Sequence, residues 1–161
     1  MNTVLSLATS TTRSRKIAPQ KVFATLRFSG DRLDPDRISD ILRVRPTKSY
    51  RKGERYFAGP RAGHLAGHTG IWLLATDDFV ASADLNRHLG YLTSLIFRGA
   101  ADHNKDRLAG LRELMARDGI TAHVSCFWHG EPGEQPPSIL PEATVKLRDL
   151  PADIETDFDT D

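Results

Sequence analysis

The run KVFATLRFSG, residues 21–30, followed by DRLDPDRISDIL, residues 31–42, changes its period at a single point. Before Gly30 the chain alternates: Val22, Ala24, Leu26 and Phe28 fall on one side, and Phe23, Thr25 and Arg27 on the other. That is the pattern of a half-buried strand. Beyond it, Asp34 stands at an N-cap position and Pro35 at the first helical position, where a missing N–H costs nothing. Leu33 and Ile38 occupy the two places of a hydrophobic staple, and Ile38, Ile41 and Leu42 form one apolar face. Asp36 in the first turn and Arg43 in the last match the helix dipole. Pro46 turns Arg45 away from helical backbone, so the helix is expected to stop near Arg43. Every feature of this corner has a backbone reason, and none requires a substrate.

The rest of the chain reads in the same way. PTKSYRKGERYF is a basic extended segment, and AGPRAGHLAGHTG a Gly/Ala-rich loop. GIWLLAT is apolar on both faces, which places it centrally in a sheet. Ser82 is positioned to cap a helix with Leu85, Leu89, Leu92 and Ile96 on one face, His88 and Leu95 at its margin, and Gly99 as its interruption. NKDRLAGLRELMARDG is a second helical run, with Leu108, Leu111, Leu114 and Met115 in register and Gly119 as its stop. ITAHVSCFW is a strand that buries Ile120, Ala122, Val124, Cys126 and Trp128. HGEPGEQPPS is rich in turn residues, LPEATVKLRDL is a short helix with Pro141 near its start, and PADIETDFDTD is an edge strand running into an acidic tail. The first six elements follow the βαββαβ order of a ferredoxin-like sandwich, an α+β fold with a mainly antiparallel sheet and helices on one face. A C-terminal helix and strand are appended. Residues 1–18 are read as a flexible arm and residues 19–161 as a single domain.

At 161 residues the chain is long enough to bury a core without a metal or disulfide staple. The single cysteine, Cys126, cannot close an internal disulfide, which points to reducing cytoplasm. The apolar start VLSLA is too short for a secretory signal, and the positive charges follow it. No apolar run approaches the roughly 20 residues that cross a bilayer. The net charge of +1 hides a division. Residues 1–61 hold 14 Lys and Arg against 5 Asp and Glu, whereas residues 62–161 hold 8 against 16. Either the molecule has a basic and an acidic face, or the halves neutralise each other within the fold.

TLRFSGDRLDPDRISDILRVRPTKSYRKGE, then TGIWLLAT, then VSCFW resemble the small bacterial family known as Domain of Unknown Function 4279. Its pattern is a strand, SG, LDP, a short helix, PT, KG and later a G-x-W strand. The resemblance runs over roughly residues 20–129 and weakly through the last helix and strand. It implies the fold. The family has no assigned chemistry to carry onto particular residues.

His64 and His68, in HLAGH, would share one face of a helix as metal ligands, but glycines at 63, 67 and 70 favour a loop and the glutamate of an H-E-x-x-H site is missing. Cys126 lies three residues from both His123 and His129, so on a strand neither imidazole shares its side, and it is expected to be buried and inert. Asp77 and Asp78 close a strand without a partner acid, base or nucleophile nearby in the sequence, and read as turn residues. No phosphate-binding or dinucleotide fingerprint occurs.

Two charged features remain. Arg45, Lys48, Arg51, Lys52 and Arg55 interleave with Tyr50 and Tyr56, a composition that suits a protein or nucleic-acid partner. Asp153, Glu155, Asp157 and Asp159 would project from one face of the last strand as a guard against aggregation or as a docking strip. The expectation is a non-catalytic interaction domain of a bacterial accessory protein, of immunity type by its size and lack of chemistry. It would bind a protein through its sheet face or charged surfaces, without cofactor or metal. The alternatives are a nucleic-acid-binding domain using residues 43–61 and a metal-dependent hydrolase using His64 and His68.

Overall fold

The computed structural model describes residues 21–57, 64–97 and 107–160; the expected arm at 1–18, Arg61 and Gly99 lie outside them. Among the described residues, seven strands and four α-helices follow in the order β1 (Lys21–Gly30), α1 (Pro35–Leu42), β2 (Lys48–Tyr50), β3 (Arg55–Phe57), β4 (His64–Ala66), β5 (Gly70–Ala75), α2 (Leu85–Phe97), α3 (Arg107–Asp118), β6 (Thr121–Gly130), α4 (Pro141–Asp149) and β7 (Asp153–Thr160). A 3-10 turn at Thr76–Asp78 follows β5.

The fold is α+β. Five strands form a sheet in the order β2-β5-β1-β6-β7. Every neighbouring pair is antiparallel except β6 and β7, which run parallel, so the sheet is mixed. The parallel pair has a direct cause: α4 carries the chain back across the sheet between β6 and β7, the connection that parallel strands need. The strand GIWLLAT lies one place in from the β2 edge rather than at the centre, which β1 occupies.

Alternation sorts the sheet into two faces. Val22, Ala24, Leu26 and Phe28 on β1 are buried with Trp72 and Leu74 on β5 and with Ala122, Val124, Cys126 and Trp128 on β6. Ile38 and Leu42 from α1, Leu85, Leu89, Leu92 and Ile96 from α2, Leu111 and Leu114 from α3 and Leu147 from α4 join the same core. Phe28 meets Trp72 edge-on at 5.8 Å, and the Trp72 indole N–H donates to Ser39 Oγ at 2.9 Å, so this aromatic is both packed and satisfied.

The corner between β1 and α1 is built as its residues dictate. Asp34 Oδ1 accepts the Asp36 N–H at 3.2 Å, and Pro35 opens the helix. Arg43 stands beyond the last turn as a left-handed C-cap at φ 55°, donating its N–H to the Ser39 carbonyl. A Cβ on Gly70 would lie 2.8 Å from the Gly30 carbonyl oxygen and 3.0 Å from Leu33 Cβ, so the corner closes there against bare backbone.

Three local expectations are corrected. Asp84, not Ser82, caps α2: its Oδ1 accepts the Asn86 N–H at 2.9 Å, while Ser82 Oγ accepts from Asp84 one step earlier. The Gly/Ala-rich segment is not loop throughout, because His64–Ala66 forms β4 and pairs with β3. The basic segment is not continuously extended: it turns at Lys52 and Gly53, where Gly53 adopts φ 79°.

Candidate functional site

On the sheet face opposite the core, no helix packs among the described residues. β1 presents Lys21, Phe23, Thr25, Arg27 and Ser29 there, β6 presents Thr121, His123, Ser125, Phe127 and His129, and β5 presents Ile71, Leu73 and Ala75. Most of these side chains are half-buried, and at the β2 edge Tyr50, in register with Ile71, is covered by Gly67 just beyond β4. Phe23 and Phe127 are directly opposed in register and stack with centroids 4.9 Å apart and planes at 20°. The Lys21 ammonium stands 5.9 Å and 6.0 Å from the two centroids, within cation–π range.

The sign of charge changes across this face. Lys48 on β2 pairs in register with Leu73, and Arg27 on the central strand is exposed. At the far edge Asp153, Glu155, Asp157 and Asp159 share a face of β7 and are exposed, as the alternation predicts. Glu155 pairs with His123 Nε2 at 3.0 Å. The surface therefore runs from cations, through an aromatic and aliphatic middle, to a row of acids.

The basic segment is distributed differently from its sequence. Arg51 Nη2 donates to Asp34 Oδ1 at 2.7 Å and to Asp36 Oδ2 at 2.8 Å, and Lys52 is paired with Asp31. The Lys52 ammonium holds the Asp31 carboxyl below its ordinary value, with the Thr69 hydroxyl adding to the effect. Glu54 Oε2 accepts the Arg51 N–H at 2.7 Å and closes the turn. Two of the cations chosen as a binding patch thus pin the β2–β3 turn to the β1–α1 corner. The acids that balance them come from the same half of the chain. Lys48 lies over the Tyr50 ring at 5.6 Å, and Tyr50 is buried where Gly67 crosses it; a Cβ on Gly67 would stand 2.7 Å from that ring. Arg45 and Arg55 are exposed. The Tyr56 side chain lies outside what the structure describes.

The reactive candidates separate. Cys126 is fully buried on the core face, and burial pushes its thiol up to about 11. His123 and His129 project from the opposite face. His64 sits in extended backbone, so the one-turn spacing that would set it beside His68 on a helix does not apply; no metal-binding cluster occurs among the described residues. Asp77 and Asp78 belong to the 3-10 turn and are exposed. An open groove of about 410 Å³ between α1 and α3 is lined by Arg37, Arg117, Asp40 and Glu113, whose charges cancel.

A family model described as Domain of unknown function (DUF4279) matches residues 20–161, well over half of the chain. The chain belongs to this family. The match takes in the acidic strand β7 as well as the corner, so the charged edge is part of the DUF4279 domain rather than an addition to it. No curated protein and no solved structure matches the chain.

Sequence reasoning passed over the Phe23–Phe127 pair. Its signal was present: both residues fall on the polar parity of strongly alternating strands, where a large aromatic needs a reason. It also missed two polar devices. The Arg107 guanidinium donates at 3.1 Å to both the Leu42 and Leu95 carbonyls, near the C-terminal ends of α1 and α2. Thr76 Oγ1 accepts the Ala24 N–H at 2.9 Å and lies 2.7 Å from His88 Nδ1, while His88 Nε2 lies 2.8 Å from the Ser82 carbonyl. The Nε2–H tautomer satisfies every group in that buried chain.

Proposed function

We propose that this chain is a non-catalytic interaction domain of a bacterial accessory protein, acting in reducing cytoplasm, and that its helix-free sheet face recognises a protein partner. One observation carries the reading: a sheet face on which no helix packs among the described residues, and which places a stacked aromatic pair between cations and acids. Aromatics in the middle of a surface supply contact area at low entropic cost, and the charges around them fix register and exclude wrong partners. The antiparallel pairing of β2, β5, β1 and β6 supports reading those four strands as a ferredoxin-like core, with β7 added beside β6. That core leaves one face bare by construction.

Nucleic acid is the second reading, and the Lys21 ammonium over two stacked rings favours it. The β7 acids on the same face oppose it, as does the use of Arg51 and Lys52 in internal ion pairs.

The test compares the immobilised wild-type chain with a Phe23→Ala/Phe127→Ala chain in lysate of the native cell, read by mass spectrometry. A protein retained by the first and lost by the second, with both chains folded by circular dichroism, is the expected result. Identical retained sets contradict it. Oligonucleotide held at low salt and released at moderate salt would replace the protein reading with the nucleic-acid one.

A further inference from the structure

We infer that the helix-free face is completed by a second copy of this chain, packed face to face about a two-fold axis that runs along β1. This inference rests on the reading of that face as the recognition surface and names its occupant. β1 is the middle strand of the five, so rotation about it lays β2 of one copy over β7 of the other. One register row crosses the whole sheet: Lys48, Leu73, Arg27, His123 and Asp153. The row begins with a cation and ends with an acid. Folded on itself by the two-fold, it sets each copy's Lys48 opposite the other copy's Asp153. A two-fold running across the strands would set the β7 acids against one another, which like-charge repulsion opposes. Arg27 and Lys21, both exposed on β1, meet their own counterparts near the axis, a like-charge contribution that the two Lys48–Asp153 contacts offset.

The size also fits. Five strands spaced at about 4.8 Å, from three residues in β2 to ten in β1 and β6 at about 3.3 Å each, make a face on the order of 600 Å² when flat. Side-chain relief brings that near the ~800 Å² per partner of a specific interface. Phe23, Phe127, Ile71 and Leu73 supply the apolar contact, in a sheet-on-sheet packing of ordinary kind.

Sedimentation equilibrium of the full chain over a concentration series, at low and moderate salt, reads the association. The wild type is expected to dimerise, less tightly as salt rises. Lys48→Glu and Asp153→Lys should each weaken the dimer about tenfold or more, since each sets like charges together twice across the axis. An equimolar mixture of the two variants should regain the dimer, because the two reversals meet as opposite charges at both contacts. Circular dichroism on each variant separates this from misfolding.

A wild type that stays monomeric overturns the inference, as does a mixture no tighter than either variant alone. If the wild type is monomeric yet Phe23→Ala/Phe127→Ala loses a different protein that the wild type retains, the second copy is rejected and the face remains the recognition surface. If that loss is absent too, both are rejected.

Discussion

Cys126 shows how much one residue's parity can decide. It shares its side of β6 with Ala122, Val124 and Trp128, all buried, and the two histidines three positions away face the other way. Its thiol is therefore held neutral, with its value raised by burial from 9.0 to about 11. A native chain at pH 8 should resist a thiol-specific reagent and react stoichiometrically once denatured; rapid native labelling would show the strand wrongly faced. The sign for stability follows from the raised value. The contribution is complete below the thiol's ordinary value and is lost as pH climbs through about 11. This residue was legible in the sequence because a period of two needs no tertiary information. His88 was not. Its place at the margin of an amphipathic helix said nothing of the Thr76 hydroxyl that receives it, because that contact joins α2 to the end of a strand.

At the scale of elements, the corner at the start of α1 was readable, but the end of that helix was not. Arg43, expected in the last turn, is a left-handed C-cap, and the last turn holds no basic residue. An N-cap, a proline at the first helical position and a staple are local chemistry, and local chemistry is what a sequence records directly. Gly70 is the long-range half of that corner. Gly70→Ala would push a methyl group to 2.8 Å from the Gly30 carbonyl and should cost about 1–3 kcal/mol in urea denaturation. Gly90→Ala is the matched control. It lies on an exposed position of α2 with nothing within 4 Å, and should gain about 0.5–1 kcal/mol. Equal effects at both glycines would contradict the close approach. The mistaken elements fail for related reasons. β4 is only three residues and is held by β3, so its glycine-rich composition argued for loop while strand pairing decided otherwise. Two cap residues stood within reach of α2, and geometry selected the nearer, Asp84.

For the whole molecule, the division of charge along the chain had two readings, and neither describes the arrangement found. Arg51 and Lys52 are neutralised inside the fold, but by the acids of their own corner. The acids of β7 are left on an exposed edge, on the same sheet face as Lys48 and Arg27. Which charges meet depends on topology, and a count over halves of the chain contains none. The central claim is that the bare sheet face is where this DUF4279 domain is recognised. Hydroxyl-radical footprinting of the chain in its native lysate, against dilute purified chain, tests it most directly. Phe23, Phe127 and Leu73 should lose reactivity in the lysate while the exposed Phe79, Leu140 and Val145 keep theirs. Protection of Phe79, Leu140 and Val145 with the sheet face unchanged would contradict the account.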